Sequence, residues 1–341
     1  MIKFNKDMAI SFDDVLLVPQ HSNIKSRKEV KLLMNDFSFP IVSAPMDTVT
    51  EWEMAANIAK EGGLGIIHRY MNTAERLHQA SMAIVGAGSE RMHGVGIAIS
   101  SVEAFDNVFI RDVIALGIKW VCIDTANGHS ELCGLAVNRI AKEYPEIKVM
   151  AGNVATAEGY LHLARMGAHA VRVGIGGGSV CTTRLVTGHG VPTLQSIIDC
   201  YDIKVKESVE TLIIADGGIK NVGDMVKAFA AGADLVMLGG FLAGTGEAPG
   251  EMIDGYKSFR GMASKEAQLN WRGEVSVSEG ASTKIKYKGS VNNLFDEIRG
   301  GLSSGCSYTG VNRLADLVDY AEYVTVSNNT VKENSPHALV N

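Results

Sequence analysis

The residues from Gly174 to Pro192, GIGGGSVCTTRLVTGHGVP, carry the strongest chemical signal in the chain. Apart from Ile175, the stretch Gly174 to Ser179 is glycine and serine, so backbone N–H groups can approach an anion closely. Cys181 follows directly, with Thr182, Thr183 and Arg184 behind it. A thiolate is a strong nucleophile, and a hydroxyl beside it can carry a proton. A glycine-rich turn alone says little, and an incidental thiol on a mobile loop is the bland alternative. A cysteine, a threonine pair and a glycine cradle at the end of one strand favour chemistry.

Other polar residues recur at strand ends: Asp47, His68, Asp124, Asn153 and Asp216. Any one of them could be a helix cap or a turn residue. Two glycine pairs sharpen the pattern. Ala215–Gly218 reads ADGG and Leu238–Gly240 reads LGG, at the ends of the seventh and eighth candidate strands. Gly217, Gly218, Gly239 and Gly240 leave room for phosphate oxygens against the backbone, and Asp216 is placed to accept from ribose hydroxyls. Barrel enzymes commonly bind phosphate at these two loops.

The elements that must position these groups alternate along the chain. Near-continuous apolar runs at 40–44, 65–68, 94–99, 119–124, 148–152, 168–174, 212–216 and 234–239 read as parallel strands buried on both faces. Amphipathic spacing predicts helices over 50–61, 102–116, 131–142, 157–166 and 222–231. Repeated strand–helix units predict an α/β fold, a (β/α)8 TIM barrel, as one catalytic domain over 1–326. Residues 244–288, polar and rich in Gly and Ser, read as a long irregular lid after strand eight. The tail from 327 to 341 reads as disordered.

Composition narrows the classes. The 341 residues are 46% hydrophobic and 21% charged, enough for a large core. A net charge of −6 without a basic cluster argues against nucleic acid as a partner. No apolar run is long enough for a membrane span, and a cytoplasmic location is expected. Five cysteines without a CxxC pair read as free thiols, and no metal-ligand spacing such as HExxH occurs.

With these motifs on the page, the chain resembles the IMP dehydrogenase/GMP reductase family over roughly residues 10–325. The matching pieces are SFDDVLLVP (11–19), MDTVT (46–50), GNVAT (152–156), GIGGGSVCTTR (174–184), ADGGI (215–219), Gly261–Met262, Glu279–Gly280, YKG (287–289) and GL…YTG (301–310). The resemblance implies a purine mononucleotide bound covalently at C2 by Cys181. It implies proton transfer by Thr183 and Glu279. It places the nucleotide on Ser179, Asp216, Gly217, Gly218, Gly239, Gly240, Gly261, Met262 and Ala263. It places a nicotinamide cofactor near Arg69, Asp124, Asn127, Gly128 and Asn153. It also implies a monovalent cation, K+, on the carbonyls of Gly176, Gly178 and Cys181, and assembly as a homotetramer. Gly177 stands where the family has proline or serine, which predicts a more flexible catalytic loop.

Within the family the sequence leans to the reductase branch, in which NADPH reduces GMP to IMP with loss of ammonia. No inserted CBS domain fits between Tyr70 and Gly94, and DTANG (124–128) resembles the reductase pattern. The segment from Met262 to Glu279 is short and lacks the Arg-Tyr pair whose arginine activates water in dehydrogenases; its single arginine is Arg272, after Trp271. MDTVTE, EGGLGIIHRYM, RLVTGHGVP and LAGTGEAPGE resemble the dehydrogenase equally well, so an IMP dehydrogenase lacking the CBS domain, using NAD, stays open. A flavin-dependent barrel would share the phosphate loops but would not need Cys181. A non-catalytic nucleotide sensor would bind without turnover.

Overall fold

The computed structural model describes residues 8–327 and 329–334. Eight strands form a closed parallel barrel: β1 (Ile41–Ser43), β2 (Leu64–Ile67), β3 (Val95–Ile99), β4 (Trp120–Asp124), β5 (Lys148–Val154), β6 (Ala170–Val173), β7 (Leu212–Asp216) and β8 (Leu235–Leu238). Each pairs with the next, and β8 closes on β1 with Val42 opposite Met237. The expected barrel is therefore observed, with each apolar run in its predicted place.

Two hydrophobic layers explain why the strands read as unbroken apolar runs. Val42, Ile66, Ala98, Cys122, Met150 and Ile214 cluster with one another and with no residue of the surrounding helices, which is the barrel interior. Their strand neighbours Ile41, Ile67, Ile97, Val121 and Val149 cluster instead with helix residues such as Met54, Ile58 and Phe229. Side chains alternate between the two layers, and both layers are apolar.

Outside lie α1 (Trp52–Lys60), α2 (Thr73–Ala87), α3 (Asn107–Ala115), α4 (Glu131–Glu143), α5 (Ala157–Arg165), α6 (Thr193–Lys206), α7 (Val222–Ala230) and α8 (Val291–Thr309). The helix expected over 102–116 is split. Asp106 adopts an extended conformation and its carboxylate accepts the amides of Val108 and Phe109, so it caps α3 and ends the preceding 3-10 turn. Helices α2 and α6 have no strong apolar stripe. The inward face of α2 is Arg76, Ala80, Ala83 and Ala87, and that of α6 includes Thr193, Gln195 and Ser196.

The segment expected to be irregular is ordered. Tyr256–Arg260 and Ser282–Lys286 pair as antiparallel strands, and between them Lys265–Arg272 forms a lid helix. Ser264 caps that helix by accepting the amide of Ala267, and Gly273 ends it in the left-handed region at φ 76°. Near the termini, Val15–Leu17 pairs antiparallel with Tyr323–Thr325 and so joins the two ends of the described chain. Of the tail expected to be disordered, residues 327 and 329–334 are described, with one helical turn at Thr330–Glu333. The rest lies outside the described residues. No helix among the described residues is long and apolar enough to cross a membrane.

Candidate active site

A cavity of about 610 Å³ opens at the C-terminal ends of the strands, the end where barrels carry chemistry. Cys181 lies on its wall, half-buried, on the loop after β6. The Cys181 amide donates to Gly178 O at 3.0 Å and so tightens the glycine turn. Residues 180–182 then run beside the far end of the lid: Thr182 N donates to Glu279 O at 2.9 Å and Ala281 N to Val180 O at 2.8 Å. That short bridge carries Glu279 across a sequence gap of 96 residues to Thr183. Cys181 Sγ lies 3.2 Å from Thr183 Oγ1, which donates to Glu279 Oε2 at 2.9 Å. Thiol, hydroxyl and carboxylate form one hydrogen-bonded line, a path along which a proton can leave or approach the sulfur.

The two glycine loops meet the Cys181 loop at Gly177–Ser179. Gly217 adopts φ 92°, a left-handed conformation that a side chain would strain. A Cβ on Gly240 would sit 2.8 Å from Ser179 Oγ, so the serine hydroxyl occupies the space that glycine leaves. Gly177, where the family resemblance led us to expect extra flexibility, is packed closely. A Cβ there would lie 2.6 Å from Thr193 Oγ1 and 3.2 Å from the carbonyl carbon of Gly217. Ser179, Gly217, Gly218, Gly239 and Gly240 all line the cavity, as do Gly261, Met262 and Ala263.

The cavity wall holds a charge network whose linking residue, Arg172, sequence reasoning missed. Arg172, on β6, is buried with 8% of its surface exposed. Its Nη1 donates to Asp124 Oδ1 at 2.6 Å, while Nε and Nη2 reach Asp216 Oδ2 at 3.0 and 2.9 Å. Asn153 Nδ2 donates to the same Asp216 oxygen at 2.7 Å, and Arg69 Nε to Asp124 Oδ2 at 3.3 Å. Burial pushes the Asp124 carboxyl up, but the Arg172 and Arg69 guanidiniums outweigh it and hold the group below the usual carboxylate range. Burial works against the charge on Arg172 as well, and the carboxylates around it overcome that and keep it firmly protonated. The signal was available: one arginine in the apolar strand AHAVRVG must find carboxylate partners if buried. Tyr70, also missed, lines the cavity with Arg69 stacked 4.6 Å over its ring, and its hydroxyl is pushed up to about 12 by burial and by Asp124.

The remaining candidate residues divide. Asp124, Asn153 and Arg69 line the cavity. Asn127 and Gly128 flank it. The Asn127 Oδ1 accepts the His129 amide at 3.2 Å, and buried Gly128 donates to Asn153 O at 2.7 Å. Gly176, Gly178 and Cys181 line the cavity together. Against Gly176 lies Arg184, whose Nη2 donates to Ile175 O at 3.2 Å and Val191 O at 2.7 Å. Among the described residues no three His, Cys, Asp or Glu side chains gather to hold a metal ion.

Fold and site together define a (β/α)8-barrel enzyme organised around one cysteine. A family model described as "IMP dehydrogenase / GMP reductase domain" matches residues 9–337. The chain is 37% identical to GMP reductase of Vibrio atlanticus, over 95% of this chain and 97% of that protein. It is 36% identical to GMP reductase of Ascaris suum, over 97% and 96% respectively. Its fold matches a crystal structure of a GMP reductase variant from Trypanosoma brucei in complex with guanosine 5'-monophosphate. That match has a TM-score of 0.89 and 26% identity, and covers 98% of this chain and 99% of the other. The chain belongs to the IMP dehydrogenase/GMP reductase family.

Proposed function

We propose that this chain is a GMP reductase, converting GMP to IMP and ammonia with NADPH as the reductant. The observation that carries the reading is the line from Cys181 Sγ through Thr183 Oγ1 to Glu279 Oε2. The thiol proton passes through the Thr183 hydroxyl to Glu279 as sulfur adds to purine C2. Glu279 returns it through Thr183 to the 2-amino group, which leaves as ammonia, and Cys181 holds the purine as a thioimidate. NADPH, when bound, supplies the hydride to C2. Reduced C2 then expels Cys181 as thiolate, giving IMP, and a proton from solvent restores the thiol.

The binding roles follow from the walls. Ser179, Gly217, Gly218, Gly239 and Gly240 take the phosphate with backbone N–H groups and one hydroxyl. Asp216, held by Arg172 and Asn153 through Oδ2, offers its other oxygen to ribose. Gly261, Met262 and Ala263 face the purine. The nicotinamide side falls to Arg69, Asp124, Asn127, Gly128 and Asn153. Here a cation, Arg69, and amide and carboxylate groups border the same cavity as Cys181, which fits a polar dinucleotide. The carbonyls of Gly176, Gly178 and Cys181 suit K+, since neutral oxygens without carboxylates favour a hard cation of low charge. Gly178 O already accepts one amide and would bring its second lone pair.

We further propose a single catalytic domain over 1–326 and a homotetramer in the cytoplasm. Free cysteines support the reducing compartment. Exposed Val85, Val102, Phe105, Val108, Leu132 and Leu135, on or beside α2 to α4, support an apolar contact between subunits. The test of the mechanism is Cys181→Ala. It should abolish turnover while GMP still binds, and intact-mass analysis of the wild type with GMP alone should find a nucleotide adduct that the variant lacks. An active alanine variant would sink the covalent route.

A further inference from the structure

Asp47, just beyond β1, is a strand-end residue to which neither the motifs nor the proposed chemistry gives a role. Its side chain is 3% exposed. Its Oδ2 receives Arg260 Nε at 3.1 Å, Arg260 Nη2 at 2.5 Å and Trp271 Nε1 at 2.8 Å. Its own amide points to Met262 Sδ at 3.4 Å. Arg260 immediately precedes Gly261, and Trp271 ends the lid helix but for one residue. One buried carboxylate therefore gathers the entry and the far end of the lid helix segment. Asn270, with its amide oxygen turned inward, accepts from both Nη atoms of Arg260 and adds a further tie.

We propose that Asp47 is a positioning residue for the reduction: by pinning Arg260 and Trp271 it sets where Gly261–Ala263 and Glu279 stand against Cys181. The inference rests on the reading of Cys181 and Glu279 as the reacting pair. The lever is short. Glu279 N donates to Ala263 O at 3.1 Å and Gly261 N to Ala281 O at 3.0 Å, so the 261–263 strip and Glu279 move together. Glu279 in turn holds Thr183, and Thr183 meets the thiol. Trp271 is 42% exposed, so burial holds it weakly; its hydrogen bond to Asp47 and its contact with the His68 ring, 6.2 Å between centroids, restrain it. A buried ion pair adds little net stability over apolar packing, but it imposes one geometry. Catalytic groups displaced by about 1 Å lose on the order of a hundredfold in rate.

The experiment pairs steady-state kinetics with hydrogen–deuterium exchange on wild type, Trp271→Phe and Asp47→Asn. Trp271→Phe keeps the ring and removes one N–H at an exposed site. It should raise exchange across 261–281, leave the barrel strands unchanged, and lower kcat at saturating GMP about tenfold, the scale of one hydrogen bond to a charged acceptor. Asp47→Asn should do both more strongly, about a hundredfold in kcat. If Asp47→Asn does not fold, Trp271→Phe decides alone. Unchanged exchange in 261–281, or kcat within about twofold of wild type, overturns the inference while the reductase reading stands. A wild type that does not turn over GMP overturns that reading and this role with it.

Discussion

Thr183 Oγ1 stands between two partners, 3.2 Å from Cys181 Sγ and 2.9 Å from Glu279 Oε2, and is the only hydroxyl hydrogen-bonded to both among the described residues. The hydrogen-bonded path from the thiol to the carboxylate therefore runs through this oxygen. Glu279→Gln keeps the shape and removes the base. We expect kcat for GMP to fall by about 10²–10³ with GMP affinity within about threefold, the range for one acid–base group. Single-turnover ammonia release and calorimetric GMP titration check it; equal losses in both would contradict the role. Thr183→Ser should retain most activity and Thr183→Val should not.

Arg172 holds Asp124 and Asp216 at once from a buried position. Arg172→Met strands two carboxylates near the barrel centre. We expect a loss of about 3–5 kcal/mol in stability, read as a lower urea midpoint at unchanged slope. Arg172→Lys should recover only part of it, because an ammonium lacks the planar fork that reaches both partners.

The depressed Asp124 carboxyl gives a pH dependence of known sign. A carboxyl lowered in the folded state contributes stability that is present above its unfolded value, about 3.9, and is lost as pH falls through the folded value. The stability gap between wild type and Asp124→Asn should therefore be full near pH 7 and shrink below about pH 4. Urea titrations across that range measure it, and a gap that widens in acid would contradict the ion-pair origin.

At Gly240 the prediction is steric. A methyl group 2.8 Å from Ser179 Oγ must displace the hydroxyl that we propose holds the phosphate. Gly240→Ala should weaken GMP by at least about tenfold, or 1.4 kcal/mol, and leave guanosine affinity unchanged. Competition titrations with the two ligands separate the effects.

The barrel was legible because parallel strands buried on both faces read as apolar runs, and β1 to β8 all do. What failed to show was structure whose inward face is polar. Helix α2 turns Arg76 and small alanines inward, with Arg76 Nη1 satisfied by Ala98 O at 2.9 Å. The lid strand Tyr256–Arg260 alternates correctly, but one inward position is Lys257, whose ammonium reaches Gly246 O and Ala248 O. A buried lysine satisfied by carbonyls breaks the hydrophobic alternation that marks a strand. The site divided the same way. Cys181, Thr183 and the glycine loops are local and legible, Glu279 came only through the family motif, and Arg172 and the Asp47–Trp271 contact depend on pairings that the fold alone creates.

The most direct test of the account is a paired absorbance assay on the purified chain. One cuvette holds GMP and NADPH, the other IMP, NAD and potassium. The account predicts loss of NADPH in the first, with one ammonia released per IMP formed, and no change in the second. NADH and XMP appearing in the second cuvette, with the first silent, would contradict it and identify the lid as competent for hydrolysis.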